Sequence, residues 1–250
     1  MKLVFLLILL VISFRGQASM IVAPAFFEGQ ANEFSENLSI EIYNTGTKKE
    51  TLQVELVSLT QRENGAPQFL SVDKPLLIPE TNIIEVDAKQ KAVLKVKRVD
   101  CSQAIYQAVL LKRISEDSQT TAPAVAVLVM LAAAEDRPQG EVVGFDLAYG
   151  KWNEPQRVEV MVKNNGSSHF KAQGEICLTD NKGERVGQIV LQPGIILPGA
   201  KRNLEGILTS ESLNEGTLCA QLDLFVGDSK LAEDLGQFLI SKQQKLGARK

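Results

Sequence analysis

The chain has 250 residues, with 27 Lys and Arg against 30 Asp and Glu and a single histidine, for a formal charge of −3. So even a balance argues against nucleic acid as a partner, and 44% hydrophobic residues with only three cysteines fit domains with ordinary cores rather than a small disulfide scaffold. The odd cysteine count leaves at least one thiol free or intermolecular.

Met1 to Ser19 has the layout of a secretory signal: Lys2 at the charged start, an apolar run from Leu3 to Phe14, and the small-x-small site Gly16-Gln17-Ala18. That run is short for a bilayer span. No second long apolar segment follows, so an exported mature chain without an integral membrane span is expected. Losing Lys2 and Arg15 moves its charge from −3 to −5.

Residues 20–137 read as a first domain of short strands separated by turns. Leu38, Ile40 and Ile42 alternate with Ser39, Glu41 and Tyr43 up to the turn Asn44-Thr45-Gly46. Leu52, Val54 and Leu56 alternate with Gln53 and Glu55 before Glu63-Asn64-Gly65; Phe69 to Val72 is a brief strand before Pro75 and Pro79; Ala92, Leu94 and Val96 alternate with Lys95 and Lys97; Ile105 to Lys112 follows. The period of two and the absence of a long helical pattern predict a sheet with one face in a core.

The domain closes on Ala122 to Ala134, an uncharged stretch opened by Pro123 and ended by Glu135-Asp136-Arg137-Pro138. Its valines recur with period two, and no helix N-cap precedes them, so a strand running into a hinge is expected. Val125, Val127, Val129 and Leu131 lie on one face, Ala124, Ala126, Leu128 and Met130 on the other. Such a strand is either covered on both sides or offers one face to a partner.

The same grammar returns in residues 138–240. Val158, Val160 and Val162 alternate up to Asn164-Asn165-Gly166; Ile176-Cys177-Leu178 leads to the turn Asp180-Asn181-Lys182-Gly183; Ile189 to Leu191 ends before Pro193-Gly194; Leu204 to Leu208, Leu218 to Phe225 and Phe238 to Ile240 follow. The expected fold class is all-β, two tandem immunoglobulin-like β-sandwiches. Residues 241–250 are basic without an apolar rhythm, either a frayed tail or a contact for an anionic surface. Trp152 is expected at the domain interface, with a partner or glycan contact as the alternative.

Little in the chain suggests catalysis. A nucleophile pair would rest on His169 alone, in a turn beside Ser167 and Ser168; no His/Cys set has zinc spacing; Asp180 to Glu184 reads as a hairpin turn because Lys182 would stand among calcium ligands. Glycine-rich phosphate loops are absent. A non-enzymatic protein without metal or cofactor is expected.

In residues 20–138, Leu38-Ser-Ile-Glu-Ile-Tyr-Asn-Thr-Gly46, Phe69-Leu-Ser-Val-Asp-Lys-Pro75, Tyr106-Gln-Ala-Val-Leu-Leu-Lys-Arg113 and the apolar final strand running into Arg137-Pro138 resemble, in order, the first domain of periplasmic pilus chaperones of the PapD type. The resemblance implies donor-strand complementation, in which the chaperone's last first-domain strand is added to a pilin-like subunit's open edge. On this sequence it implies Val125, Val127, Val129 and Leu131 as the donor row; packing of the same residues in the domain's own core is the other reading. The family holds the subunit's terminal carboxylate with basic residues on the first and last strands of that domain, and neither Ile21 to Phe27 nor Ala132 to Ala134 supplies one. Lys112 and Arg113, on the neighbouring strand, are the candidates for basic contacts. A structural or adhesive module is the alternative function.

In an immunoglobulin-like order Cys177 and Cys219 fall on neighbouring antiparallel strands and both face outward if the flanking apolar residues face in. Either they form a cross-strand disulfide or they stand apart as thiols in different registers. Cys101, in a loop, is then the free one.

Overall fold

The computed structural model describes residues 20–114, 124–148, 156–208, 216–226 and 229–240; the signal segment, Trp152 and the basic tail lie outside them. The first sandwich holds β1 (Met20–Ala23), β2 (Phe26–Gln30), β3 (Asn37–Asn44), β4 (Glu50–Gln61), β5 (Pro67–Ser71), β6 (Leu77–Pro79), β7 (Ile83–Val86), β8 (Lys91–Arg98), β9 (Ile105–Arg113) and β10 (Ala124–Ala132). One sheet runs β1-β3-β8-β6 and the other β2-β10-β9-β4-β5, with β7 also on β4. Alternation sets the layers: Leu38, Ile40, Ile42, Leu94 and Val96 are buried in one sheet and meet Leu52, Val109 and Leu111 of the other, while Lys95 and Lys97 stay in water.

The opening strand serves both sheets. β1 pairs antiparallel with β3, and after Pro24, which has no N–H to continue a ladder, β2 pairs parallel with β10. Ala31–Glu33 then forms a 3-10 turn. Arg98, 1% exposed, clamps it by donating to the carbonyls of Ala31 at 2.6 Å, Ser35 at 3.0 Å and Phe34.

The second domain is a seven-stranded sheet in the order β11 (Gly140–Ala148), β12 (Gln156–Asn164), β15 (Lys201–Leu208), β14 (Arg185–Ile196), β13 (Phe170–Thr179), β16 (Gly216–Val226), β17 (Ser229–Ile240). Its two parts join through one register pair, Leu191↔Gly206, and close over a common core in which Val158, Val160, Val162 and Leu204 meet Ile176, Leu178, Leu222 and Leu224. The all-β, two-sandwich expectation therefore holds. Pro193-Gly194 does not end its strand: β14 runs through it on a bulge, with Ala172↔Gly194 followed by Gly174↔Leu191, so the proline sits where the ladder is already interrupted.

In both domains the turn that carries the chain from one layer of the sandwich to the other, β3 to β4 and β12 to β13, is built on the same device. Asn44, fully buried, donates to Lys48 O at 2.8 Å and Val86 O at 2.9 Å and accepts from Gly46 N at 2.8 Å. Asn164, also fully buried, donates to Ser168 O and Ile196 O at 2.9 Å and accepts from Gly166 N at 2.9 Å. The short amide supplies the turn's bonds from inside the protein, where water cannot.

Candidate binding site at the β10 edge and the interdomain cleft

β10 pairs with β9 along Ala124 to Leu131, but with β2 only from Leu128 to Ala132. Among the described residues, Ala124 to Val127 therefore have a strand on one side and none on the other. Backbone donors and acceptors on such an edge are a template for an added strand.

The side chains sort differently from the donor row expected above. Val127, Val129 and Leu131 are fully buried in the first domain's core with Ile40, Val109 and Leu111, and Val125 is half-buried. Packing, the other reading of that row, is what describes these three. Both faces of the strand are apolar in sequence, and the bulkier valine-rich one fills the core because it buries more surface. The opposite row turns out of the sandwich: Ala124 is exposed, and Ala126 and Leu128 lie half-buried against Val57, Ala108 and Leu110. Met130 continues this row into a cluster with Leu59 and Leu197, bridging the two domains.

The β10 row leads into an interdomain cleft of about 500 Å³. Leu59, Leu128 and Met130 of the first domain and Ile195 and Leu197 of the second form its apolar walls, with Glu28, Gln61, Lys171 and Arg202 as polar groups. The domains are hydrogen-bonded around it. Gln61 donates to Ile195 O at 2.8 Å and accepts from Leu197 N at 3.2 Å, and Asn203 N donates to Glu63 O at 2.7 Å. At the linker, Asn165 N donates to Gln139 O at 2.8 Å and Ser167 N to Arg137 O at 3.2 Å. Gly166 must be glycine here, since a Cβ would stand 2.3 Å from Arg137 O.

Arg202 is the unusual charge. Gly65 and Gly194 leave room for its guanidinium, for a Cβ on either would lie within 2.5 Å of it. It donates from Nη1 to Ile195 O at 3.0 Å, its Nε is buried without an acceptor, and burial pulls its pKa below the usual arginine value. With Lys171 it gives the cleft two cations that belong to the second domain. Sequence offered no signal for this pair, because the cleft assembles from segments far apart in the chain.

Lys112 and Arg113 do not reach the cleft. Lys112 lies opposite Ala124 and pairs with Glu55; Arg113 Nε meets Glu50 at 2.6 Å. They sit six and seven residues along β9 from Tyr106 at the domain junction, roughly 20 Å at strand rise. The disulfide is also corrected. Cys177 stands opposite Gln221 and Cys219 opposite Thr179, and both are free thiols, as is Cys101. The strands are antiparallel neighbours as expected, but a two-residue offset puts the sulfurs on a diagonal, beyond disulfide reach. Asp180 does form a hairpin turn, its Oδ1 accepting from Lys182 N at 2.8 Å and Glu184 N at 2.9 Å. His169, expected in a turn, proves to be an interdomain residue, with its side chain only 9% exposed.

Two immunoglobulin-like sandwiches joined at a cleft, with a shared first strand and a half-open last strand, define an architecture also found among solved proteins. A chain of the chaperone–tip adhesin complex of CFA/I fimbriae biogenesis matches with a TM-score of 0.53 and 8% identity, over 87% of this chain and 98% of that one. The class 5 fimbriae chaperone CfaA matches with a TM-score of 0.47 and 9% identity, over 88% and 97%. The YadV chaperone matches with a TM-score of 0.45 and 10% identity, over 89% and 100%. The resemblance seen in the sequence thus holds at the level of fold. No family model matches the chain, and no curated protein matches it.

Proposed function

We propose that this protein is an exported, periplasmic, non-enzymatic chaperone-like factor that holds surface-fibre subunits by β-augmentation on β10. The observation that carries the reading is the edge of Ala124 to Val127, which among the described residues has a strand on one side only and is continuous with an apolar row that leads to the interdomain cleft. A subunit strand added there gains main-chain hydrogen bonds independent of sequence, while Ala124, Ala126 and Leu128 set its register. The row is small, so the subunit groove it fits is shallow. Lys171 and Arg202 take the place of the family's basic anchors and receive the subunit's terminal carboxylate, which adds a charged acceptor to a guanidinium that already donates to Ile195 O.

The test is capture from the periplasm of wild type and an Ala124→Lys, Ala126→Lys double variant, with thermal transitions measured for both. The proposal expects wild type to retain a fibre subunit that lacks a strand of its own, and the folded variant to lose it. Equal retention, or none by either protein, rejects strand donation and leaves a structural or adhesive module.

A further inference from the structure

We propose that the Tyr106–His169–Glu28 contact is a pH-sensitive latch between the two domains, closed while His169 is neutral and loosened when its ring gains a second proton. His169 is the only histidine of the chain, and its partners belong to the other domain. The hydroxyl of Tyr106, on β9, accepts from His169 N–H at 3.0 Å and lies 3.1 Å from ring Nδ1, with the rings edge to face at 5.7 Å. The phenol has one hydrogen to give and Nε2 faces a carboxylate, so the tautomer that serves both contacts accepts the phenol hydrogen at Nδ1 and keeps its own on Nε2. That nitrogen faces Glu28 of β2 at 3.6 Å.

A proton on Nδ1 turns this acceptor into a donor. Two donors then converge on one phenol oxygen, and the phenol hydrogen loses its partner. Tyr106 cannot adjust by ionising, since burial has pushed its pKa up to about 12. Asp136 of the linker acts in the same direction on Tyr106. Burial disfavours the imidazolium and pulls the His169 pKa below the ordinary value; Glu28 works against this without cancelling it. Lys171, on β13 two residues beyond His169, is exposed and lines the cleft with Glu28.

The sign of the linkage follows. The open form takes up the proton near the ordinary histidine value of about 6.5, the closed form only at lower pH. Docking is at full strength above that value and weakens as pH falls below it. A single proton lowers the closed-to-open ratio by at most about tenfold per pH unit. This latch does not depend on the chaperone reading.

The experiment follows the scattering radius of the whole protein from about pH 7.5 to about pH 5 while NMR titrates the His169 ring. Wild type is expected to expand as His169 titrates below its ordinary value. His169→Gln abolishes the acid-dependent expansion, and Glu28→Gln, which removes the offsetting charge, enlarges it. The proposal is overturned if His169→Gln expands in acid as wild type does, if Glu28→Gln leaves the response unchanged or reduces it, or if the ring titrates while the radius stays constant.

Discussion

Arg98 shows how a buried charge can hold a fold without a carboxylate. Its donors satisfy three backbone carbonyls around the 3-10 turn. Arg98→Met keeps much of the volume but strands those carbonyls, so a loss of about 2–5 kcal/mol is expected from denaturant unfolding. The two rows of β10 give a sharper pair. Leu131→Ala opens a cavity in a fully buried site and is expected to cost about 2–5 kcal/mol. Ala126→Lys, on the outward row, leaves the unfolding free energy within about 1 kcal/mol of wild type, because a lysine stem lies along apolar surface with its head in water. Comparable losses from both would contradict the assignment of faces. Alternation revealed that β10 had two apolar faces but not which one looked inward; the difference lay in how much surface each row buries once the facing sheet, whose residues lie far away in the chain, is in place.

At the scale of strands and turns, the period-two pattern was legible because half-buried strands must alternate, as Leu38 to Tyr43 and Val158 to Lys163 do. Less legible was the split of the first strand, since the apolar run Ile21 to Phe27 fits either sheet equally well and only its partners divide it at Pro24. The cysteine pairing failed for a similar reason: strand neighbours follow from fold order, but register is a matter of single residues. Intact mass before and after reduction should therefore agree for the mature protein, and alkylation after unfolding without reductant should label all three thiols. The paired asparagines make an element-level test. Asn44→Ala and Asn164→Ala each remove three hydrogen bonds inside the protein. Each is expected to cost about 1–3 kcal/mol, and because the sites lie in different cores the losses should add within about 0.5 kcal/mol in the double variant.

The whole molecule depends on how firmly the domains are joined. Gly166 is pressed against backbone atoms of the linker at Arg137 and Gln139, which cannot rotate aside as a side chain would. Gly166→Ala is expected to break the linker contacts, enlarge the scattering radius at neutral pH and separate thermal unfolding into two transitions. A single transition with an unchanged radius would show that the junction does not rely on this approach. The opening segment adds a different kind of coupling. The same short stretch is fastened to β3 by its first half and closes part of β10 with its second. A guest strand no longer than the free residues binds beside β2 without disturbing it. A longer guest must displace β2 pair by pair, a migrating junction in which each step frees about 3.3 Å of template. The tether to the opposite sheet then acts as a restoring force, so guest length, more than guest sequence, sets how readily the exchange reverses.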